Sequence, residues 1–299
     1  GAFAFFANVA INTYWARTRT DGSSSDATSY RIQFDYDADR YGARFERLVV
    51  GDRFNPEVGF VRRDNMRRSL AQLRFSPRTR NHPTVRRLSW VGDMDYVETT
   101  DGRLETRERR GEFSIELHNS DSFGVAYSNS DEFVPVAFRI ASDVTVPVGE
   151  YQFDNVRVRY GFGQQRMLSG TVAAERGTFF GGTKTTFSLS QGLAALTSQL
   201  SIAPGVSVNR VVLPQGAVTS RLVTTRVTYT MTPLMFASAL VQYNSAADSV
   251  SANVRWRWEY LPGSELFVVY NEERDARRRG FPGLENRALI IKVNRLLRF

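Results

Sequence analysis

The sequence predicts an all-β chain, an antiparallel transmembrane β-barrel of about sixteen strands, either complete or part of a larger barrel. Three observations carry this expectation. Strand-length runs alternate apolar and polar residues with a period of two. Aromatic residues gather at the ends of those runs (Tyr160 and Phe162, Tyr229, Trp258 and Tyr260), where an amphipathic ring suits a membrane interface. The connections alternate in length, as they do when long loops lie outside a membrane and short turns lie beneath it.

Composition narrows the alternatives. The chain has 299 residues, 42% of them hydrophobic and 12% aromatic, which marks an ordered protein. Mean hydropathy is −0.33, and no stretch approaches the roughly 18 apolar residues a membrane helix needs. A helical membrane protein is excluded; a barrel is not, because each of its strands interleaves apolar with polar residues. Cysteine is absent, which excludes a disulfide framework, a zinc knuckle and a thiol nucleophile. The two histidines, His82 and His118, lack metal-ligand spacing, so no metal or cofactor is expected. The net charge of +8 fits nucleic acid, an anionic surface or an anion-lined pore. The arginines alternate with apolar residues along strands, without a recognition helix or an RNA-binding aromatic pair, so a basic lumen is favoured over nucleic acid.

In chain order the strand-length runs are 2–18, 28–37, 41–51, 66–77, 84–98, 103–118, 122–130, 150–162, 168–177, 184–194, 197–211, 218–231, 234–244, 249–260, 264–274 and 286–299. Turn chemistry separates them at Asp21-Gly22, Arg40-Tyr41-Gly42, Asp101-Gly102, Gly181-Gly182, Pro214-Gln215-Gly216 and Pro262-Gly263. In the second run Tyr30, Ile32, Phe34 and Tyr36 oppose Arg31, Gln33, Asp35 and Asp37. In the fifth, Leu88, Trp90, Met94 and Tyr96 oppose Ser89, Asp93 and Asp95. In the eighth, Val156, Val158, Tyr160 and Phe162 oppose Asn155, Arg157, Arg159 and Gly161. In the twelfth, Val223, Thr225, Val227, Tyr229 and Met231 oppose Thr224, Arg226, Thr228 and Thr230. In the fourteenth, Val250, Ala252, Val254, Trp256, Trp258 and Tyr260 oppose Ser251, Asn253, Arg255, Arg257 and Glu259. A period of two places such sets on opposite sheet faces. A soluble sandwich would alternate likewise, with the apolar side in its core.

Long loops at 19–27, 52–65, 99–102, 131–149, 178–183, 212–217, 244–249 and 275–285 fall on one side, and shorter turns at 38–40, 119–121, 195–196, 232–233 and 261–263 on the other. The segment 78–83 departs mildly from this rule. Arg295 and Arg47 fall on the expected lipid side. Arg295 is placed to snorkel, whereas Arg47 raises the alternative that run 41–51 is shifted by one residue. The amino terminus, GAFAFFANVAINTYW, lacks the charged region and unbroken apolar core of a signal peptide, so the chain reads as a mature piece of an exported protein.

A last strand that stops on Phe299 resembles the terminal insertion signal of bacterial outer-membrane barrels, read by the barrel-insertion machinery. Further local sequences carry a second resemblance: FNPEVGFVRRD at 54–64, SPRT at 76–79, RVVLPQG at 210–216, VQYNS at 241–245, VRWRWEYLPGSELFVVYNE at 254–272 and NRALIIKV at 286–293. Together they resemble the C-terminal barrel of an uncharacterised outer-membrane family whose members carry an N-terminal domain like a carbohydrate-binding module of family nine. The resemblance implies residence in the bacterial outer membrane, a lipid bilayer as partner and contact with glycans. It supplies no catalytic residue. Residues 1–299 would be one barrel domain, without the family's sugar-binding-like module and a further strand-bearing segment.

The candidate functional residues are inward charges. Asp93, Asp95, Glu112 and Glu116 lie on neighbouring runs. Arg157, Arg159, Arg226, Arg255, Arg257 and Lys292 lie further along the chain. They would bias a pore toward anions; the plainer alternative is a set of lumen ion pairs, with Asp93 matched to Arg74. A second candidate is the loop containing Phe54, Asn55, Pro56, Glu57, Gly59 and Phe60, either gripping a ligand or simply fixing a turn. The segment 131–149 is unusually apolar for an exposed loop and could fold into the lumen or cover the mouth. Hydrolysis is the weaker expectation. Neither histidine stands next to an outer-loop carboxylate or a nucleophile elbow, and Glu112 and Glu116 stand about 13 Å apart on one strand, too far for paired glycosidic carboxylates. The functional alternatives are therefore passage or surface capture of solutes, a non-conducting binding scaffold, and an outer-membrane hydrolase.

Overall fold

The computed structural model describes all residues except 20–26, 58, 62, 142–143, 278–281 and 298–299. It is an all-β antiparallel barrel wall. In chain order the strands are β1 (Ala2–Phe5), β2 (Val9–Arg17), β3 (Thr28–Asp37), β4 (Tyr41–Val50), β5 (Met66–Phe75), β6 (Val85–Thr99), β7 (Leu104–Leu117), β8 (Ser122–Val134), β9 (Phe138–Ala141), β10 (Val144–Val146), β11 (Gly149–Phe162), β12 (Leu168–Phe179), β13 (Gly182–Ala195), β14 (Leu200–Leu213), β15 (Gly216–Thr232), β16 (Met235–Asn244), β17 (Ser249–Leu261), β18 (Ser264–Asp275) and β19 (Gly283–Asn294). Seventeen of them form a single sheet, and β9 and β10 pair separately. Each strand of the large sheet pairs antiparallel with its predecessor, and β8 passes to β11 around the small hairpin. Among the described residues, no register pairs β19 with β1 or β2.

Two expected runs come out differently. Run 2–18 is a hairpin, β1 and β2, in register from Ala2↔Asn12 to Phe5↔Val9. Its turn is made by Phe6 in the left-handed region at φ 55°, a conformation rare for a bulky residue. Run 286–299 ends as a strand at Asn294; Leu296 N–H then donates to Ser264 Oγ at 3.1 Å. Phe299 lies outside the described residues.

Register also settles which side chains share a face, since directly paired residues point the same way. Trp256 pairs with Ala237 and Val268, Val268 with Ile291, and Ala237 with Tyr229. The same face continues through Val158, Val125, Phe113, Trp90, Phe75 and Tyr41. Its aliphatic residues are open to the surroundings: Val254 is 41% exposed and Ile291 63%. The buried residues Gln33, Ala126, Phe153, Ala173 and Val211 lie on the other, polar face. The polar face is therefore the crowded, concave one, and the apolar face is convex. A soluble sandwich has the opposite arrangement.

Arg47 is explained without a register shift. It pairs with Ile32 and Ser69 in the expected register. Its guanidinium donates to Ser69 Oγ and lies 3.5 Å from Glu98, both on the same outer face.

Candidate functional site: the inner wall and its mouth

Along β3 to β8 the inner face is a chain of ion pairs. Glu46 accepts from Arg31 at 2.5 Å and from Arg68 at 3.2 Å, and Arg68 reaches on to Asp95 through Nε at 2.8 Å and Nη2 at 2.6 Å. Glu112 is held between Arg110 and Arg159. Arg159 reaches it across Gly124, where a Cβ would come within 2.9 Å of its Nε. Glu116 is matched by Arg86 and by Arg87 at 3.1 Å. Three of the four carboxylates singled out in the sequence are thus neutralised locally. Asp93 is not paired with Arg74: that guanidinium lies over Gly42 and donates to Asp37 at 2.8 Å.

The other half of the wall differs. Arg157 lies 3.7 Å from Glu175, and Arg257 donates to Glu265 at 2.9 Å through Nε. Arg226, Arg255 and Lys292 are exposed on the inner face and have no ion pair or hydrogen bond among the described residues. Register orders them. Arg226 shares a row with Leu240 and Asn253; Arg255, one row nearer the short-turn end, sits with Ser238 and Val269; Lys292, one row lower again, sits with Phe267 and Arg257. Each step crosses two strands and two residues, about 12 Å from ordinary sheet spacings. The three free cations form a diagonal descending from β15 to β19. Neutral hydrogen-bonding side chains flank it, Asn253 with Asn271 and Thr186 with Asn209 at 2.8 Å.

The apolar segment 131–149 completes the site. Residues up to Val134 extend β8, and Phe138–Ala141 pairs with Val144–Val146 as β9 and β10. Val144 and the fully buried Val146 pack with Val134, Phe153, Phe180, Val211 and Leu213. Phe180 meets the ring of Phe138 at 5.5 Å. Val134, Phe153, Val211 and Leu213 belong to the inner face, so the hairpin folds inward over the wall at its long-loop end. Burial of its valines drives this, since the segment has too few polar side chains to stand in water.

Asn55 and Pro56 make a turn in the loop that follows β4. Asn55 Oδ1 accepts from Glu57 N–H at 3.2 Å, and Gly59 N–H donates to Pro56 O at 2.9 Å. Asn55 N–H also donates to Thr18 Oγ1 at 3.2 Å, tying it to the neighbouring loop. Phe54 is half-buried, whereas Phe60 is 87% exposed at the tip. The two histidines meet at a short-turn end. His82 Nδ1 accepts from Val85 N–H at 2.9 Å, and His118 Nε2 lies 3.0 Å from His82 O.

One site was missed in the sequence. Asp121, only 2% exposed, accepts from Arg166, Tyr160 and the Gly163 N–H, and so joins two short turns. An Asp before a strand and an Arg forty-five residues later give no local signal.

No protein-family model and no curated protein matches the chain. Among solved structures it is similar to the ferric enterobactin receptor of Pseudomonas aeruginosa. One mutant of that receptor is matched over 89% of this chain and 53% of that chain, at 11% identity and a TM-score of 0.46. Another mutant, in complex with enterobactin, is matched over 95% and 59%, at 9% identity and a TM-score of 0.47. This chain therefore spans little more than half the length of those receptors.

Proposed function

We propose that the chain is the greater part of a bacterial outer-membrane β-barrel that passes or captures small solutes. The observation that carries this reading is the two-faced wall, with aliphatic residues bare on the convex side and charged and amide side chains on the concave side. An exposed apolar surface of that extent needs lipid. The unpaired Arg226, Arg255 and Lys292 favour anionic solutes, because a fixed positive line lowers the energy of an anion beside it. Glycans are the solute class implied by the sequence resemblance, and the amides of Asn209, Asn253 and Asn271, with the Thr186 hydroxyl, suit sugar hydroxyls. In planar bilayers, single-channel steps with a reversal potential shifted toward that of chloride support the proposal. A cation preference would refute the anion assignment.

The inward hairpin favours a second reading, a binding scaffold whose lumen is obstructed. Silence in the same recordings, with solute binding retained, is its signature.

A further inference from the structure

The outer face of β4 to β8 is not smooth. A groove of about 970 Å³ runs over Leu73, Gly92, Gly111 and Tyr127, above a row of rings. It continues into depressions of about 550 and 450 Å³ over Ala71 and Met94, toward Arg109 and Arg47. Its floor is made by two facing glycines, Gly92↔Gly111, where an added Cβ would meet nothing within 4 Å. Its lower end is the row Tyr41, Phe75, Trp90 and Phe113, directly paired across four strands with ring centroids 5.1–5.7 Å apart. Arg40 lies over the first two rings, at 5.5 and 5.2 Å.

The upper end is polar. Arg109 is exposed on this convex face and has no hydrogen bond or ion pair among the described residues. Beside it Asn129 Nδ2 donates to Asp154 at 2.9 Å. Arg47 and Arg107, one row higher, are already matched by Glu98 and by Asp131 at 2.8 Å. A lone guanidinium facing acyl chains is costly unless something neutralises it. The protein supplies no partner for Arg109, so the lipid must. From Arg109 to Phe113 is four residues, about 13 Å along the strand, room for an extended hydrocarbon chain below a headgroup.

We infer that this groove is a specific site for an anionic, phosphate-bearing lipid. The phosphate sits at Arg109, an acyl chain lies over Gly92 and Gly111, and the ring row stops the chain's far end. The inference rests on the membrane reading given under Proposed function. Arg109 beside the glycine floor marks the site; Arg210 and Arg221, also exposed on the convex face, stand away from that floor.

Native mass spectrometry of the full chain in detergent tests it, with phosphatidylglycerol or phosphatidylcholine as the added lipid. The expected result is at least a five-fold preference for phosphatidylglycerol. Arg109→Gln should abolish the preference, Arg109→Lys should restore most of it, and Gly111→Leu should lower retention of phosphatidylglycerol by filling the floor. A heat-modifiable band on gels checks that each variant is folded. Equal retention of the two lipids, or variants that retain phosphatidylglycerol like the parent, would overturn the site while leaving the membrane reading intact. A chain that stays folded and monomeric without any amphiphile would sink both.

Discussion

Arg166 grips Asp121 with two hydrogen bonds, from Nε at 3.0 Å and from Nη2 at 2.6 Å, and so ties the turn after β7 to the turn after β11. The same carboxylate accepts from Gly163 N–H at 2.8 Å and from Tyr160 OH at 2.9 Å. The Gly163 amide, Tyr160 and Arg166 together hold its pKa below the ordinary 3.8. A carboxylate with a depressed native pKa stabilises the fold above its unfolded pKa and loses that contribution as pH falls toward the native value. Asp121→Asn is therefore expected to lower the urea midpoint at pH 7. The difference from the parent should shrink as pH drops below about 4, the usual carboxylate range. Denaturation followed by tryptophan fluorescence at several pH values checks both.

The ring row on the outer face makes a stability prediction. Trp90 touches Phe75 at 5.7 Å and Phe113 at 5.1 Å. Each aromatic pair contributes about 0.5–1.5 kcal/mol beyond area burial. Trp90→Ala should cost about 1–3 kcal/mol from the two pairs alone, measured by reversible unfolding in lipid vesicles. Trp90→Phe should recover most of it.

The diagonal of free cations governs selectivity in the proposed pore. Converting Arg226, Arg255 and Lys292 to glutamine together should remove most of any anion preference. The same change at the paired Arg157 and Arg257 should have a smaller effect, because Glu175 and Glu265 already offset those charges. Reversal potentials in a salt gradient measure each.

Removing the inward hairpin should widen the mouth. Replacing residues 137–147 with a short Gly-Ser linker takes Val144 and Val146 off the inner wall. Conductance steps are expected to grow severalfold, or to become visible where the parent is silent. Unchanged recordings would show that the hairpin does not lie in the conduction path.

Much of this architecture was legible in the residues. The run from Val250 to Tyr260 names its two faces without help, because lipid and lumen demand opposite chemistry from neighbouring residues. The up-and-down meander fixed which connections share a side, but the alternation of their lengths does not hold throughout: β12–β13 and β14–β15 join by two-residue turns on the expected long side, and β5–β6 by nine residues on the other. The β1–β2 hairpin was not legible, since its turn uses Phe6 at positive φ rather than Gly or Pro. The β9–β10 strands, of four and three residues, are too short for any periodic signal. Salt-bridge partners were the least legible. Arg74 reaches Asp37 rather than Asp93 because Gly42 leaves a path for it across the sheet, and such diagonal choices depend on missing side chains as much as on present ones.

The assignment of the convex face to lipid is open to direct measurement. The chain contains no cysteine, so single cysteines from 250 to 258 on β17 can be spin-labelled one at a time in reconstituted bilayers. Collision rates with oxygen, which concentrates in acyl chains, and with a water-soluble nickel chelate should alternate out of phase. Oxygen should win at 252, 254 and 256, and the chelate at 251, 253 and 255. Equal accessibility of both faces to the chelate, or oxygen maxima at 253 and 255, would contradict a membrane-spanning wall.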